Sequence, residues 1–301
     1  MDSKKKIPYK SYLFKMCSVL VLLVSVTFCW FVFSKENTID SLQVEVTSVV
    51  NVTISDDSKE EWDDKVIIDS ALLGNVISEF SGNGDRLYSP ITEKNQVVGY
   101  SINYDSLNLG TEDRQYIEII TYVKTDGPIC LYLGQASTIT PASNKKNEDA
   151  IAGAVRLAIM VDGYAPFIWA PNTTYHYDPE TKKVDKNGTP ESSFTYVYSE
   201  EKNNYLDIDQ IVTIDNPNNL ANGVSEDKRF VWGDLREIEN YTSAVEPIFK
   251  TSTDLAEEIE VRMVIRVWVE GTDREAVKEL IGGKIKMNLV FHAVDNEWGD
   301  N

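Results

Sequence analysis

The strongest constraint on this chain is an apolar/polar alternation that recurs along it. In "EVRMVIRVWVEG" (260–271), Val261, Met263, Ile265, Val267 and Val269 share one face, and Arg262, Arg266 and Glu270 take the other. Successive side chains of an extended strand point to opposite faces, so a period of two marks a half-buried strand. "GKIKMNLVFHAV" (283–294) repeats the pattern with Ile285, Met287, Leu289, Phe291 and Ala293. "AGAVRLAIMVDG" (152–163) does so with Val155, Leu157, Ile159 and Val161, then turns at Asp162-Gly163. "YIEIITYVKTDGPICLYLG" (116–134) reads as strand, turn, strand, and "SFTYVYSE" (193–200) is rich in β-branched and aromatic residues. In 42–54, Leu42, Val44, Val46, Val50, Val52 and Ile54 fall on one face.

Two segments break the pattern. "GTDREAVKELIGG" places Thr272 and Glu275 at capping-box spacing, with Gly282 as a stop, which predicts a short helix at about 273–281. "KVIIDSALLGNVISEF" (65–80) has apolar residues near helical spacing and is a second candidate. Residues 172–192, with a "KNGT" turn signal, read as an exposed loop or hairpin tip, and 215–228 as another loop. There is no internal repeat and no linker. Strands with turn signals and one or two short helices predict an all-β fold, a single antiparallel β-sandwich.

Ahead of these strands lies Met16–Phe33, "MCSVLVLLVSVTFCWFVF", which carries no charge. A run of this length can span a bilayer core as a hydrophobic helix, and the lysines before it keep that end cytoplasmic. The same layout describes a secretory signal peptide. Candidate cleavage points follow Cys29, before Trp30, and Ser34, before Lys35. The expected division is therefore 1–34 as signal peptide or membrane anchor and 35–301 as an exported domain. That domain sits on the extracellular side of the cytoplasmic membrane, anchored or secreted.

Charge excludes several partners. The chain has 29 Lys and Arg against 48 Asp and Glu. Five lysines and one acid precede residue 35, which leaves 24 against 47 in the body. Such a surface repels nucleic acid and anionic lipid heads, because binding either depends on neutralising phosphate. Of three cysteines, only Cys130 lies in the body, so an internal disulfide is impossible there. It reads as a small buried apolar residue. His176 reads as a loop residue and His292 as the solvent side of a strand; neither stands at metal-ligand spacing.

No catalytic or cofactor motif is present, and the chain reads as a non-enzyme without a cofactor. "GNGDR" (82–86) is a turn. Carboxylate pairs such as Asp207/Asp209 and Glu257/Glu258 are expected by chance in so acidic a body. Asp207, Asp209 and Asp215, or Glu270 with Asp273, offer hard oxygens to calcium without an EF-hand loop. Trp169, Tyr175, Tyr177 and Trp232, in or near loops, suggest a second class: a membrane-tethered sandwich that binds carbohydrate or calcium.

Four stretches carry a resemblance. They are "TFCWF" followed by "NTIDSLQVEV", "AGAVRLAI…FIWAPN" (152–172), "VRMVIRVWVEGTD" (261–273) and "GGKIKMNLVF" (282–291). Together they resemble exported Gram-positive proteins with SipW-type signal peptides, the family of TasA and camelysin. Cys29 stands where that family's junction has a small alanine. The resemblance implies a jelly-roll sandwich, export, and a structural role at the cell surface or in the biofilm matrix. It also implies that the N-terminal strand, here Ile39–Ile54, can pair with the next subunit's sheet to build a fibre. The expected partners are then copies of this chain or other surface proteins, with the N-terminal segment in the membrane.

Overall fold

The computed structural model describes residues 38–48, 52–68 and, with interruptions, 79–295. The chain divides into Met1–Glu36 and Asn37–Asn301. The first unit, with the apolar run, Cys29, Trp30, Ser34 and Lys35, lies outside the described residues. Among the described residues, no helix is long and apolar enough to cross a membrane.

The second unit is an all-β sandwich. Its strands are β1 (Thr38–Ser48), β2 (Val52–Asp56), β3 (Lys65–Ile68), β4 (Glu79–Gly82), β5 (Leu87–Glu93), β6 (Gln96–Tyr104) and β7 (Ile117–Thr125). There follow β8 (Ile129–Leu133), β9 (Thr138–Pro141), β10 (Val155–Val161), β11 (Phe167–Ala170), β12 (His176–Asp178), β13 (Lys183–Asp185) and β14 (Ser193–Val197). The last are β15 (Tyr205–Asp207), β16 (Ile211–Asp215), β17 (Asn222–Val224), β18 (Phe230–Gly233), β19 (Phe249–Lys250), β20 (Ile259–Glu270) and β21 (Lys284–Asp295).

One sheet runs β19-β8-β21-β1-β3, with β9 also on β21. The larger sheet runs β15-β6-β5-β4-β20-β10-β11-β18-β17, and β7 joins it to β20 and β2. β12–β13 and β14–β16 are separate pairs. Most pairings are antiparallel, but β1–β21, β11–β18 and β4–β20 are parallel, so the sandwich is mixed. The segment 116–134 crosses between layers rather than forming a hairpin. β7 pairs with β20 in one sheet and β8 with β21 in the other.

The alternating residues meet between the layers. Leu42, Val44, Val46, Ile285, Met287, Leu289 and Phe291 from one sheet pack with Ile117, Ile119, Val155, Leu157, Ile159, Met263, Ile265 and Val267 from the other. A second, smaller cluster forms on the far side of the larger sheet: Leu87, Tyr116, Ala158, Ile168, Ala170, Phe230 and Trp268. β20 is therefore buried on both faces from Met263 to Glu270. Gly84 and Asp85, in "GNGDR", close over this far side. Gly84 has φ +84°, and a Cβ there would lie 2.1 Å from the Ala158 Cβ, so neither backbone nor space admits a side chain.

Both helical expectations change. Residues 65–68 and 79–80 are strand, and 69–78 lie outside the described residues. Pairing of β3 with β1 outweighs local periodicity there. In 273–281 the observed element is a single 3-10 turn at Lys278–Leu280. Asp273 accepts the Glu275 N–H at 2.8 Å. The Glu275 carboxylate accepts the Tyr177 N–H at 2.6 Å, and Thr272, the other half of the expected capping box, lies outside the described residues. A 3-10 helix at Asn147–Ala154 was not anticipated. It is held by buried Asp149, whose carboxylate accepts the N–H groups of Ser143 at 3.0 Å and Lys284 at 2.9 Å.

The loop 172–192 contains the β12–β13 hairpin, so His176 stands in a strand and not in a loop. Its turn falls at Asp178, upstream of "KNGT". Asp178 accepts from the Glu180 N–H at 2.8 Å and the Thr181 hydroxyl at 2.6 Å. Residues 222–224, within the second expected loop, form β17.

Candidate assembly strand

β1 holds the first three residues of the candidate inter-subunit strand. Leu42, Val44 and Val46 are 2%, 0% and 4% exposed. On the opposite face Gln43 and Glu45 are half-buried. β1 runs parallel to β21, with Leu42 opposite Met287 and Val44 opposite Leu289. It runs antiparallel to β3, with Leu42 opposite Ile68 and Glu45 opposite Lys65. The strand is therefore interior to its sheet, with both backbone edges occupied. The edge position belongs to β3, where Ile67 is 72% exposed.

Val52 and Ile54, which the alternation places on the same strand as Leu42, lie instead in β2, in the other sheet beside β7. They still face the common core. β1 ends at Ser48 in one layer and β2 begins at Val52 in the other, and Val50 is outside the described residues. A continuous one-face pattern is equally produced by one long strand or by two strands lining the same core from opposite sides.

The segment between β2 and β3 wraps the side of the sandwich. Asp63 exchanges backbone hydrogen bonds with Ile54 at 2.7 and 3.1 Å, and the Asp64 carbonyl accepts the Val46 N–H at 2.8 Å. The Lys59 ammonium lies 3.8 Å from the Tyr122 ring centre, and the Lys124 ammonium lies 4.0 Å from that of Trp62.

The binding-module residues are dispersed. Trp169 is buried, its indole N–H donating to the Gly233 carbonyl at 2.9 Å. It reaches a cleft of about 160 Å³ that Ser137, Thr138, Thr140 and Leu235 also line. Tyr177 is buried under the 3-10 helix side of the core. Tyr175 lies outside the described residues, as does the side chain of Trp232. Asp207 and Asp215 stand in strands of different sheets, and Asp209 is outside the described residues. Glu270 accepts the Trp268 indole N–H at 3.2 Å, and Asp273 pairs with buried Arg156, so these two carboxylates face other partners. Glu258 pairs with Lys124 at 3.5 Å across exposed surface, and Glu257 is exposed. No group of three or more metal-ligating side chains occurs among the described residues.

Cys130 is buried, in keeping with its apolar surroundings. Beside it, burial pushes the Tyr132 hydroxyl up to about 12, and Cys130 and Glu246 add to the rise. His292 is half-buried, and burial lowers its pKa. Its ring fills the space that a Cβ on Gly134 would take, at 1.9 Å from Cδ2.

Two buried ion pairs escape the sequence reading. Arg266 Nε donates to Glu118 at 2.9 Å, with side chains 1% and 3% exposed. Its Nη1 donates to the carbonyls of Gly84 at 2.6 Å and Asp85 at 3.1 Å. Arg156 pairs with Asp273. The available signal was an arginine within each of two strongly apolar stretches, "VRLAIMV" and "VIRVWV". Buried charge requires a partner.

No family model matches this chain, and no curated protein or solved structure shows significant similarity to it.

Proposed function

We propose that this chain is an exported structural protein of the cell surface or extracellular matrix, and that β1 is the strand through which copies join. The observation behind this reading is how β1 is seated. It lies parallel beside β21, the last described strand, some 240 residues further along the chain, and no hairpin ties the two. The hydrogen bonds and the apolar slot that receive Leu42, Val44 and Val46 would be equally satisfied by β1 of another copy. Exchange of an identical element between protomers needs only a hinge between β1 and β2. The closed monomer fills its own slot; in a fibre each copy would fill its neighbour's. The resemblance of the export junction to TasA and camelysin supports the same reading.

A cross-link tests it. Gln43 and Asn288 are register partners on adjacent strands. The double variant Gln43→Cys/Asn288→Cys, oxidised as a monomer, holds β1 in its own sheet. It is expected to stay monomeric where the reduced form polymerises. Equal polymerisation of both forms would refute strand exchange.

A further inference from the structure

We infer that residues 57–64 form a strap that governs release of β1, held down by cation–ring and ion-pair contacts to the opposite sheet. The inference rests on the reading of β1 as an exchangeable strand. The segment, "DSKEEWDD", carries five acids, one lysine and one tryptophan. In a chain of net charge −19, so acidic a connection would be expected to stand away in solvent. Its lysine and its tryptophan instead fold it onto the outer face of β7 and β20.

Lys59 adopts φ 55°, which is uncommon outside glycine. In that conformation its ammonium reaches both the Tyr122 ring and the Glu260 carboxylate, the latter at 2.5 Å. The bond to Glu260 raises the Lys59 pKa. Three residues on, Trp62 lies under Lys124, which pairs with Glu258. Lys124 and Glu260 are register partners, so the two anchors stand side by side on adjacent strands.

The far end of the strap controls the other sheet. Ser55 Oγ donates to the Glu61 carbonyl at 2.6 Å, Asp63 bridges Ile54, and the Asp64 carbonyl takes the Val46 N–H. The chain then enters β3, which covers the outer edge of β1 from Leu42 to Glu45. β1 cannot leave sideways while β3 is in place, and β3 is tethered by the strap. Contacts made on β7 and β20 therefore set how readily a strand in the other sheet opens. Because those contacts are exposed and charged, salt weakens them.

Hydrogen exchange on the full chain in detergent micelles tests this. In Lys59→Ala and in Trp62→Ala, the amides of 42–46 are expected to exchange about fivefold faster or more, from loss of one cation–ring contact and, in Lys59→Ala, of the Glu260 ion pair as well. The amides of β10 and β20 should be unchanged, and Lys59→Arg should restore protection. Unchanged exchange in β1, or equal acceleration in β10, would overturn the strap. Polymerisation followed on the same samples separates the two ideas. Faster opening with faster polymerisation supports both, whereas faster opening without any polymer supports the strap and refutes assembly through β1.

Discussion

Removing the carboxylate of Glu118 should be among the most damaging single changes to this fold. Arg266 is enclosed by the far face of β20, the Tyr116 ring 5.1 Å from its guanidinium carbon, and the "GNGDR" turn. In Glu118→Ala its Nη1 keeps the Gly84 and Asp85 carbonyls, but Nε loses its acceptor and the charge its buried counter-ion. Breaking one partner out of a buried pair costs about 3–5 kcal/mol, because an uncompensated charge remains. Against a typical stability of about 5–15 kcal/mol this is roughly a fifth or more of the total. For a domain of this size it lowers Tm by roughly 6–20 °C. Urea unfolding followed by tryptophan fluorescence at pH 7 reads the change. The double variant Glu118→Leu/Arg266→Met removes both charges together and should lose less than Glu118→Ala alone, since apolar residues of similar volume replace buried pairs at little cost. A loss below about 1 kcal/mol in Glu118→Ala would mean that water reaches the pair, as for exposed bridges, and would refute the enclosed far-side cluster.

Two further outcomes follow from the same geometry. Gly84→Ala combines a left-handed backbone with a Cβ placed on Ala158, and should cost about 2 kcal/mol or more in the same urea assay. His292 is favoured as the neutral imidazole when folded, so the unfolded chain binds its proton first as pH falls. Stability should therefore be unaffected by this group well above its ordinary value of 6.5 and fall as pH drops through 6.5 toward the lowered folded value. His292→Gln should flatten that part of the profile between pH 7.5 and 5.5, and an identical slope in both proteins would show that His292 does not contribute.

The layers of the sandwich were legible in the sequence because alternation reports which side chains face a core. Val155, Leu157, Ile159 and Val161, Met263, Ile265, Val267 and Val269, and Ile285, Met287, Leu289, Phe291 and Ala293 all face inward as the pattern requires. The same signal is blind to which sheet a strand joins. That is why the stretch from Leu42 to Ile54 read as one strand and divides into two layers, and why 116–134 read as strand, turn, strand without revealing the crossing. Alternation also reports only one face. The far side of β20 carries Arg266 and Glu270, whose charge suggests solvent, yet a turn closes over it and Glu118 supplies the counter-charge. The helix expected near 273–281 is lost to tertiary contacts that no local spacing encodes. The Glu275 carboxylate accepts from the Tyr177 backbone, and Asp273 is taken by Arg156 from another strand. The strap was hidden for a similar reason: an acidic run looks solvated until Lys59 and Trp62 find their partners on β7.

Export underlies the functional account, and protease treatment of intact host cells tests it most directly. The measurement is the survival of the 35–301 body, compared before and after lysis, with a cytoplasmic protein as control. The account predicts that the body is cleaved on intact cells while the control survives, and that any soluble form in the medium begins at Trp30 or Lys35. A body protected until lysis, with Met1 intact and no form in the medium, would contradict it.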